Sequence, residues 1–295
     1  MYRGLCSGSG GWKLWLRSVW LLLLSCRSQQ ALPPAYLRLG SAHVVIESDT
    51  LPIESTIDTW LYPGGRYLTV VEPGERVPIV PASTKPVLLA GGVRVSGVSV
   101  IRRPYPFWQF DTLRSDLVAE NELFYQPIYT YFADTLLEVP IKEGFESPQL
   151  QLRLVNAGSA SAAPIFRTSS TPRRGFWCAE IPLAAYTELQ AETTTPFPFP
   201  RDDIWAEISV KGDRNLAVGL TVEDKVTGRT ILRENNLLLR PSSDKWSTFY
   251  IDLSSWVRRH GPNFRFRLYL TSAGDTTGRY TLFIDDVRVI TWRRL

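Results

Sequence analysis

Histidine, cysteine and methionine are scarce in this 295-residue chain: it has two histidines, three cysteines and one methionine. His43 and His260 share no H-x-x-x-H or similar spacing, so no histidine metal site is written in the sequence. No Gly-x-Ser-x-Gly elbow and no phosphate-cradling glycine loop occurs past the N-terminal segment. Among 29 acidic residues some facing carboxylate pair is inevitable, so a glycosidase pair carries no information. With the usual constellations missing, the chain is expected not to be an enzyme. Past residue 25 the only cysteines are Cys26 and Cys178. Cys178 lies in Phe176-Trp177-Cys178-Ala179, an apolar setting that suits a buried, inert thiol.

Net charge is also small. The chain carries 33 Lys and Arg against 29 Asp and Glu. Three of those bases, Arg3, Lys13 and Arg17, precede residue 26, which leaves 30 against 29, or +1. The arginines fall in scattered pairs such as Arg102-Arg103 and Arg258-Arg259. That pattern lacks the basic stripe of a nucleic-acid binder, and no nucleic-acid partner is expected.

No apolar run is long enough to cross a bilayer. Ser18-Val19-Trp20-Leu21-Leu22-Leu23-Leu24-Ser25 has eight uncharged residues before the polar Arg27-Ser28-Gln29-Gln30, whereas a spanning helix needs about 20. A basic start, a short apolar core and a small residue before a cut make a secretory signal. Leu23-Leu24-Ser25-Cys26 then reads as a lipobox, with lipid on Cys26. The expected organisation is a signal peptide over 1–25, a lipidated tether over 26–34 and a folded body after it. With Cys26 lipidated, Cys178 has no intramolecular partner, so burial alone must hold the body. The eight residues 27–34 reach at most about 26–29 Å.

The body, 270 residues with the tether, is long for one core and comfortable for two. Strand-like runs and turns fill 35–135. Ile57-Asp58-Thr59-Trp60-Leu61-Tyr62, then Pro63-Gly64-Gly65, then Arg66-Tyr67-Leu68-Thr69-Val70-Val71 predict a hairpin. Val87-Leu88-Leu89-Ala90 and residues 93–100 read as separate strands flanking Gly91-Gly92, with Gly97 as a bulge. About seven strands in this stretch predict an immunoglobulin-like sandwich. Residues 136–143 read as a connector opening a second domain over 136–295. There the proline-rich or polar stretches 162–175 and 193–203 read as loops. Ile204, Ala206, Ile208 and Val210 alternate with Trp205, Glu207, Ser209 and Lys211; Leu216, Val218, Leu220 and Val222 alternate with Ala217, Gly219, Thr221 and Glu223; Phe264, Phe266, Leu268 and Leu270 alternate with Arg265, Arg267 and Tyr269. One core face and one wet face per strand predict antiparallel sheets and a jelly-roll sandwich. Ser254-Ser255-Trp256-Val257-Arg258-Arg259-His260 predicts a short capped helix. The fold class is thus all-β, two sandwiches in tandem.

These motifs resemble a family of uncharacterised Bacteroidota outer-membrane lipoproteins. The resemblance rests on the Ile57–Tyr62 hairpin region, Val77-Pro78-Ile79-Val80, the alternating strand 93–100, Pro104-Tyr105-Pro106-Phe107, the Glu143-Gly144-Phe145-Glu146-Ser147-Pro148 step and Leu282-Phe283-Ile284-Asp285-Asp286-Val287. It implies an immunoglobulin-like domain followed by a carbohydrate-binding-module-like (galactose-binding-like) jelly roll, and a lipid-anchored place in the outer membrane. It implies no activity. Surface members of that family carry an acidic run after the lipidated cysteine, and Arg27-Ser28-Gln29-Gln30 departs from it, so the leaflet stays open.

Alternation in Phe283-Ile284-Asp285-Asp286-Val287 puts Asp285 inward, where a carboxylate needs a partner. Resemblance to carbohydrate-binding jelly rolls implies a structural Ca²⁺ near Glu146 and Asp285; the alternative is a hydrogen-bonded carboxylate without metal. No other cofactor is implied. Trp205, Tyr250, Arg265, Arg267 and Tyr269 occupy polar-side positions, and Phe197, Phe199 and Trp177 lie on loops. They could stack on glycan, or cover a domain or protein interface. The leading expectation is an accessory or structural subunit of an outer-membrane protein complex; the alternative is a glycan-binding envelope lipoprotein.

Overall fold

The computed structural model describes residues 33–46, 49–52, 57–80, 86–97, 100–114, 116–200, 202–276 and 278–293, with backbone alone at 49–52 and 57. The signal, Cys26 and nearly all of the tether lie outside the described residues.

The N-terminal unit holds β1 (Ala35–Leu39), β2 (His43–Ile46), β3 (Asp49–Pro52), β4 (Ile57–Pro63), β5 (Thr69–Val71), β6 (Arg76–Ile79), β7 (Val87–Arg94), β8 (Arg102–Pro104), β9 (Asp111–Leu113), β10 (Glu122–Tyr125) and β11 (Ile128–Thr130). Among the described residues these make three sheets: β10-β1-β6, β11-β2-β3, and β5-β4-β7-β8 with β9 also on β7. Two pairs, β1 with β10 and β2 with β11, run parallel. The strands are thus more numerous, and the sheets smaller, than the expected seven-strand reading. Leu37, Leu39, Leu61, Val71, Ile79, Val87, Leu89 and Leu113 form the core of this unit.

The β4–β5 hairpin forms as expected. Gly64 and Gly65 take φ of 59° and 79°, a left-handed turn that a Cβ would disfavour. The Gly91-Gly92 expectation is corrected: β7 runs straight through the pair. A Cβ on Gly91 would lie 2.7 Å from the Trp108 ring and 2.8 Å from Tyr129; one on Gly92 would lie 2.5 Å from the Trp60 ring. Here glycine admits rings onto a strand rather than bending it. The strand ends at Arg94, and Ser96 and Gly97, both at positive φ, make a turn where a bulge was expected.

The second unit holds β12 (Leu137–Glu143), β13 (Leu152–Leu154), β14 (Phe166–Thr168), β15 (Cys178–Leu183), β16 (Glu188–Thr193), β17 (Phe197–Pro198), β18 (Ile204–Gly212), β19 (Leu216–Asp224), β20 (Thr230–Leu239), β21 (Ser247–Asp252), β22 (Phe264–Ala273) and β23 (Tyr280–Trp292). A first sheet, β14-β15-β23-β18-β21 with β12 on β23, faces a second, β13-β16-β22-β19-β20 with β17 on β22. Among the described residues every pair of these strands is antiparallel. The inward positions read from the alternation meet between the sheets: Ile204, Ala206, Ile208, Val210, Leu216, Val218, Leu220, Val222, Phe266, Leu268 and Leu270.

Three expectations change in this unit. Residues 136–143 are not a connector, because β12 joins the first sheet, Leu137 opposite Trp292 and Glu143 opposite Val287. Each supposed loop carries a short strand, β14 in the first and β17 in the second. β17 tolerates proline because only two residues pair with β22, and it seats the fully buried Phe197 against Phe266. The helix Ser254–His260 forms, but Leu253 holds its N-cap position without a side-chain cap. Ser254 donates its backbone N–H to Asp252 Oδ1 at 2.9 Å instead.

Candidate functional site

The five polar-side residues are divided between two faces. Trp205 and Tyr250 project from the outer face of the first sheet, and that face is not wet. It is covered by the N-terminal unit. Trp205 is fully buried, in one apolar cluster with Val93, Val95, Tyr105, Phe107, Trp108, Tyr129, Tyr250 and Ile290. Tyr105 meets Trp205 edge-on at 5.3 Å and Tyr250 at 5.1 Å. The Tyr105 and Tyr131 hydroxyls both donate to Glu207 Oε1, at 2.7 and 2.6 Å. Burial, then the Glu207 charge, pushes both phenols far up, so they stay protonated donors. Ser96 N–H donates to the Tyr250 carbonyl at 2.7 Å, and Arg103 reaches Asp252 at 2.9 Å. Trp205 and Tyr250 are therefore interface residues between the units and are closed to glycan.

Arg265, Arg267 and Tyr269 project from the outer face of the second sheet. Register places Glu192, Tyr269, Gly219 and Asn235 in one row across β16, β22, β19 and β20, with Gln190, Thr271 and Ala217 in the next. Glu192, buried at the centre, accepts from Arg153 at 2.6 Å, Thr221 at 2.8 Å and Arg233 at 3.3 Å. Burial alone would raise Glu192, but these donors outweigh it and hold its carboxyl below the usual range. Glu223 pairs with Arg267 at 2.6 Å and Arg265 at 2.9 Å. Arg265 and Arg267 are thus occupied with Glu223, and Arg267 also donates to the carbonyls of Thr193 and Thr194.

Next to this network lies an open cleft of about 390 Å³. Glu188, Gln190, Arg214, Asn215, Asn235, Tyr269, Thr271 and Ser272 supply its polar lining. One wall is β20. An extra residue shifts its register between Val218 and Gly219, and the Glu234 carbonyl crosses over Gly219, where a Cβ would collide with it. At one end Arg214 is stacked 3.5 Å over the Tyr280 ring and paired with Asp275. Tyr269 Oη donates to Gln190 Oε1 at 3.3 Å, and Thr271 Oγ1 to Asn235 Oδ1 at 3.3 Å. Of this set the sequence singled out Tyr269 alone. The amides were invisible there, because isolated Asn and Gln on strands carry no motif.

Glu146 and Asp285 do come to one loop, Arg173 to Trp177, but not as cation ligands. Asp285 is not on the core face: Leu282 and Ile284 point inward, then Val287 and Val289 do, because an extra residue on β23 (Asp286, φ 48°) shifts the alternation by one. Asp285 Oδ2 accepts N–H groups of Arg173 at 2.9 Å and Arg174 at 3.3 Å. Glu146 Oε1 accepts those of Phe176 at 2.9 Å and Trp177 at 3.1 Å. Asp286 takes the Arg173 and Arg174 guanidiniums, both at 2.9 Å. The loop presents N–H donors and two guanidiniums, where Ca²⁺ needs converging oxygens. No group of three His, Cys, Asp or Glu suited to a metal occurs among the described residues. The residues do not fit the ion. Burial and the Asp286 charge push Asp285 up to about 7, against the backbone donors.

The remaining candidates are placed plainly. Phe197 is core. Trp177 is half-buried beneath the Arg167 guanidinium at 4.3 Å, and Phe199 packs against the sandwich core. His43 in β2 contacts Gln126, and His260 at the helix end contacts Glu234.

No protein-family model and no curated protein matches this sequence. Solved structures with weak likeness include the CBM22-1 xylan-binding domain of a Paenibacillus barcinonensis protein, at 13% identity and TM-score 0.40, covering 55% of this chain and 99% of that one. Another is the family 61 module TmCBM61, in complex with β-1,4-galactotriose, at 18% identity and TM-score 0.35, covering 52% and 97%. A third is a family 11 carbohydrate-binding module from Clostridium thermocellum, in complex with a mixed-linked tetrasaccharide, at 9% identity and TM-score 0.38, covering 52% and 95%.

Proposed function

We propose that this is a non-catalytic carbohydrate-binding protein of the cell envelope, held to the outer membrane by lipid on Cys26. Its N-terminal unit is a β-sheet mount, and its ligand site is the outer cleft of the second unit. The cleft lining carries the reading. Glu188 and Arg214 are the charged members of that lining and balance each other, while amides and hydroxyls provide the rest and Tyr269, only 7% exposed, shows little surface among them. Such a set suits a ligand rich in hydroxyls, and all of its side chains but Arg214 and Asn215 stand on paired strands that hold them in place. The test is retention of the full chain on polysaccharide affinity gels. Wild type is retarded on at least one polysaccharide; Tyr269→Ala and Asn235→Ala each migrate faster there. No retention on any polysaccharide, or equal retention by both variants, removes the reading.

A second reading, an accessory subunit of an outer-membrane complex, has its own observation. Strand β14 ends its sheet, and Phe166 on it and Phe176 near it stand exposed. A sheet edge with exposed phenylalanines on and beside it invites a partner. Co-purification from detergent extracts that survives in wild type and disappears in a Phe166→Asp, Phe176→Asp variant supports this reading.

A further inference from the structure

The point where the chain enters the N-terminal unit is ringed by exposed apolar side chains. Glu120 N–H donates to the Pro34 carbonyl at 2.9 Å, and Asn121 N–H to the Val118 carbonyl at 3.1 Å. The turn bearing Val118 therefore lies against the entering chain. Ala35 pairs with Ile79, which puts Val80 at the same end. Val80 and Pro86 are six residues apart, at most about 22 Å. Gly64 N–H donates to the Pro86 carbonyl at 3.2 Å, which draws the turn carrying Tyr67 and Leu68 toward this end. Tyr67 packs on Trp60 at 5.3 Å and on Tyr62 at 5.9 Å. Tyr67, Leu68, Val80 and Val118 are each between 46% and 62% exposed.

We propose that this end of the N-terminal unit is a membrane-docking surface, which inserts Tyr67, Leu68, Val80 and Val118 into the headgroup region of the bilayer that holds the lipid on Cys26. The proposal rests on the lipid-anchor reading. The chain outside the structure decides the occupant. Residues 27–34 cannot span more than about 29 Å, so the entry end of the body is the end that faces the bilayer. Tyrosine, apolar in body and polar at the tip, suits the headgroup level, where its hydroxyl stays wet. Acyl chains with a second apolar contact hold more firmly than acyl chains alone. Docking also fixes orientation: the body would be held against the bilayer rather than swinging on its tether.

Single thiols placed in the full lipidated chain test this. Cys178 is fully buried and does not compete for label. Leu68→Cys and Val118→Cys carry nitroxide at the docking end, and Val226→Cys, 92% exposed in the second unit, is the control. The probe membrane is phosphatidylcholine vesicles, read by flotation and by collision with a water-soluble nickel chelate. The expected result is flotation, with collision at 68 and 118 reduced several-fold below that at 226. Flotation with equal collision at all three positions overturns docking and leaves the anchor intact. Failure to float overturns the anchor reading, and docking with it. Protection at 68 and 118 that persists without vesicles, because another protein covers them, also overturns docking.

Discussion

Two residues show how a single side chain, or its absence, shapes this molecule. Asp285 sits buried beside Asp286, and burial followed by that neighbouring charge raises it from 3.8 to about 7. The folded protein then holds this proton more tightly than the unfolded chain does. The contribution to stability is complete below about pH 4 and is lost as pH rises through about 7. Asparagine keeps an acceptor and removes the titration. The stability of Asp285→Asn relative to wild type should therefore rise by roughly 2–3 kcal/mol between pH 5 and pH 8, as read from melting curves at each pH. A difference flat across that range means Asp285 is ionised throughout. Gly91 works by lacking a side chain. Trp108 and Tyr129 rest on its backbone, and Gly91→Ala pushes a methyl into both rings. The expected loss is about 1–3 kcal/mol, as for other overpacked sites, measured by urea unfolding.

At the scale of an element, the loop from Arg173 to Trp177 is held by three carboxylates, none of which needs a metal. Glu146 and Asp285 hold its backbone, and Asp286 binds its two guanidiniums. Burial would raise Asp286, but Arg174 and the other cations outweigh it and hold its carboxyl below the usual range. Arg174→Ala leaves that buried charge with fewer partners and should cost about 3–5 kcal/mol. Calcium or a chelator should leave the melting temperature of wild type unchanged, because the loop turns donors toward the carboxylates. A rise in melting temperature with calcium would mean the loop can reverse its carbonyls toward an ion.

The whole molecule is organised around the contact between its two units. The outer face of the first sheet packs Trp205, Tyr250 and Ile290 against Tyr105, Phe107 and Trp108, and Glu207 ties two tyrosine hydroxyls across the seam. The units should unfold together. Trp205→Ala opens a cavity at the centre of this contact and should cost about 3–5 kcal/mol. Calorimetry should then resolve two transitions where wild type has one. If the variant still melts in one step with an unchanged midpoint, the contact contributes little to stability.

Alternation along β18, β19 and β22 was legible in the sequence, because a strand with one buried face must place apolar residues at every second position. That pattern determined the all-β class, the second sandwich and the inward set from Ile204 to Leu270. It also marked Trp205, Tyr250, Arg265, Arg267 and Tyr269 as outward. What covers an outward face is not a local property. The same polar-side pattern leads to a buried seam at Trp205 and to an open cleft beside Asn235, because one sheet is capped by another unit and the other is not. The bulge at Asp286 was hidden for a related reason: one extra residue reverses every later side chain, and only the cross-strand register with β18 reveals it. The amides of the cleft came together through pairing of β16 with β22 and β22 with β19, strands about 50 to 80 residues apart, and of β19 with β20 across a hairpin. The sequence by itself determined which side of each strand would be apolar. The tertiary structure alone decided which polar sides meet water, because solvent exposure depends on what packs against a face and not on what the face contains.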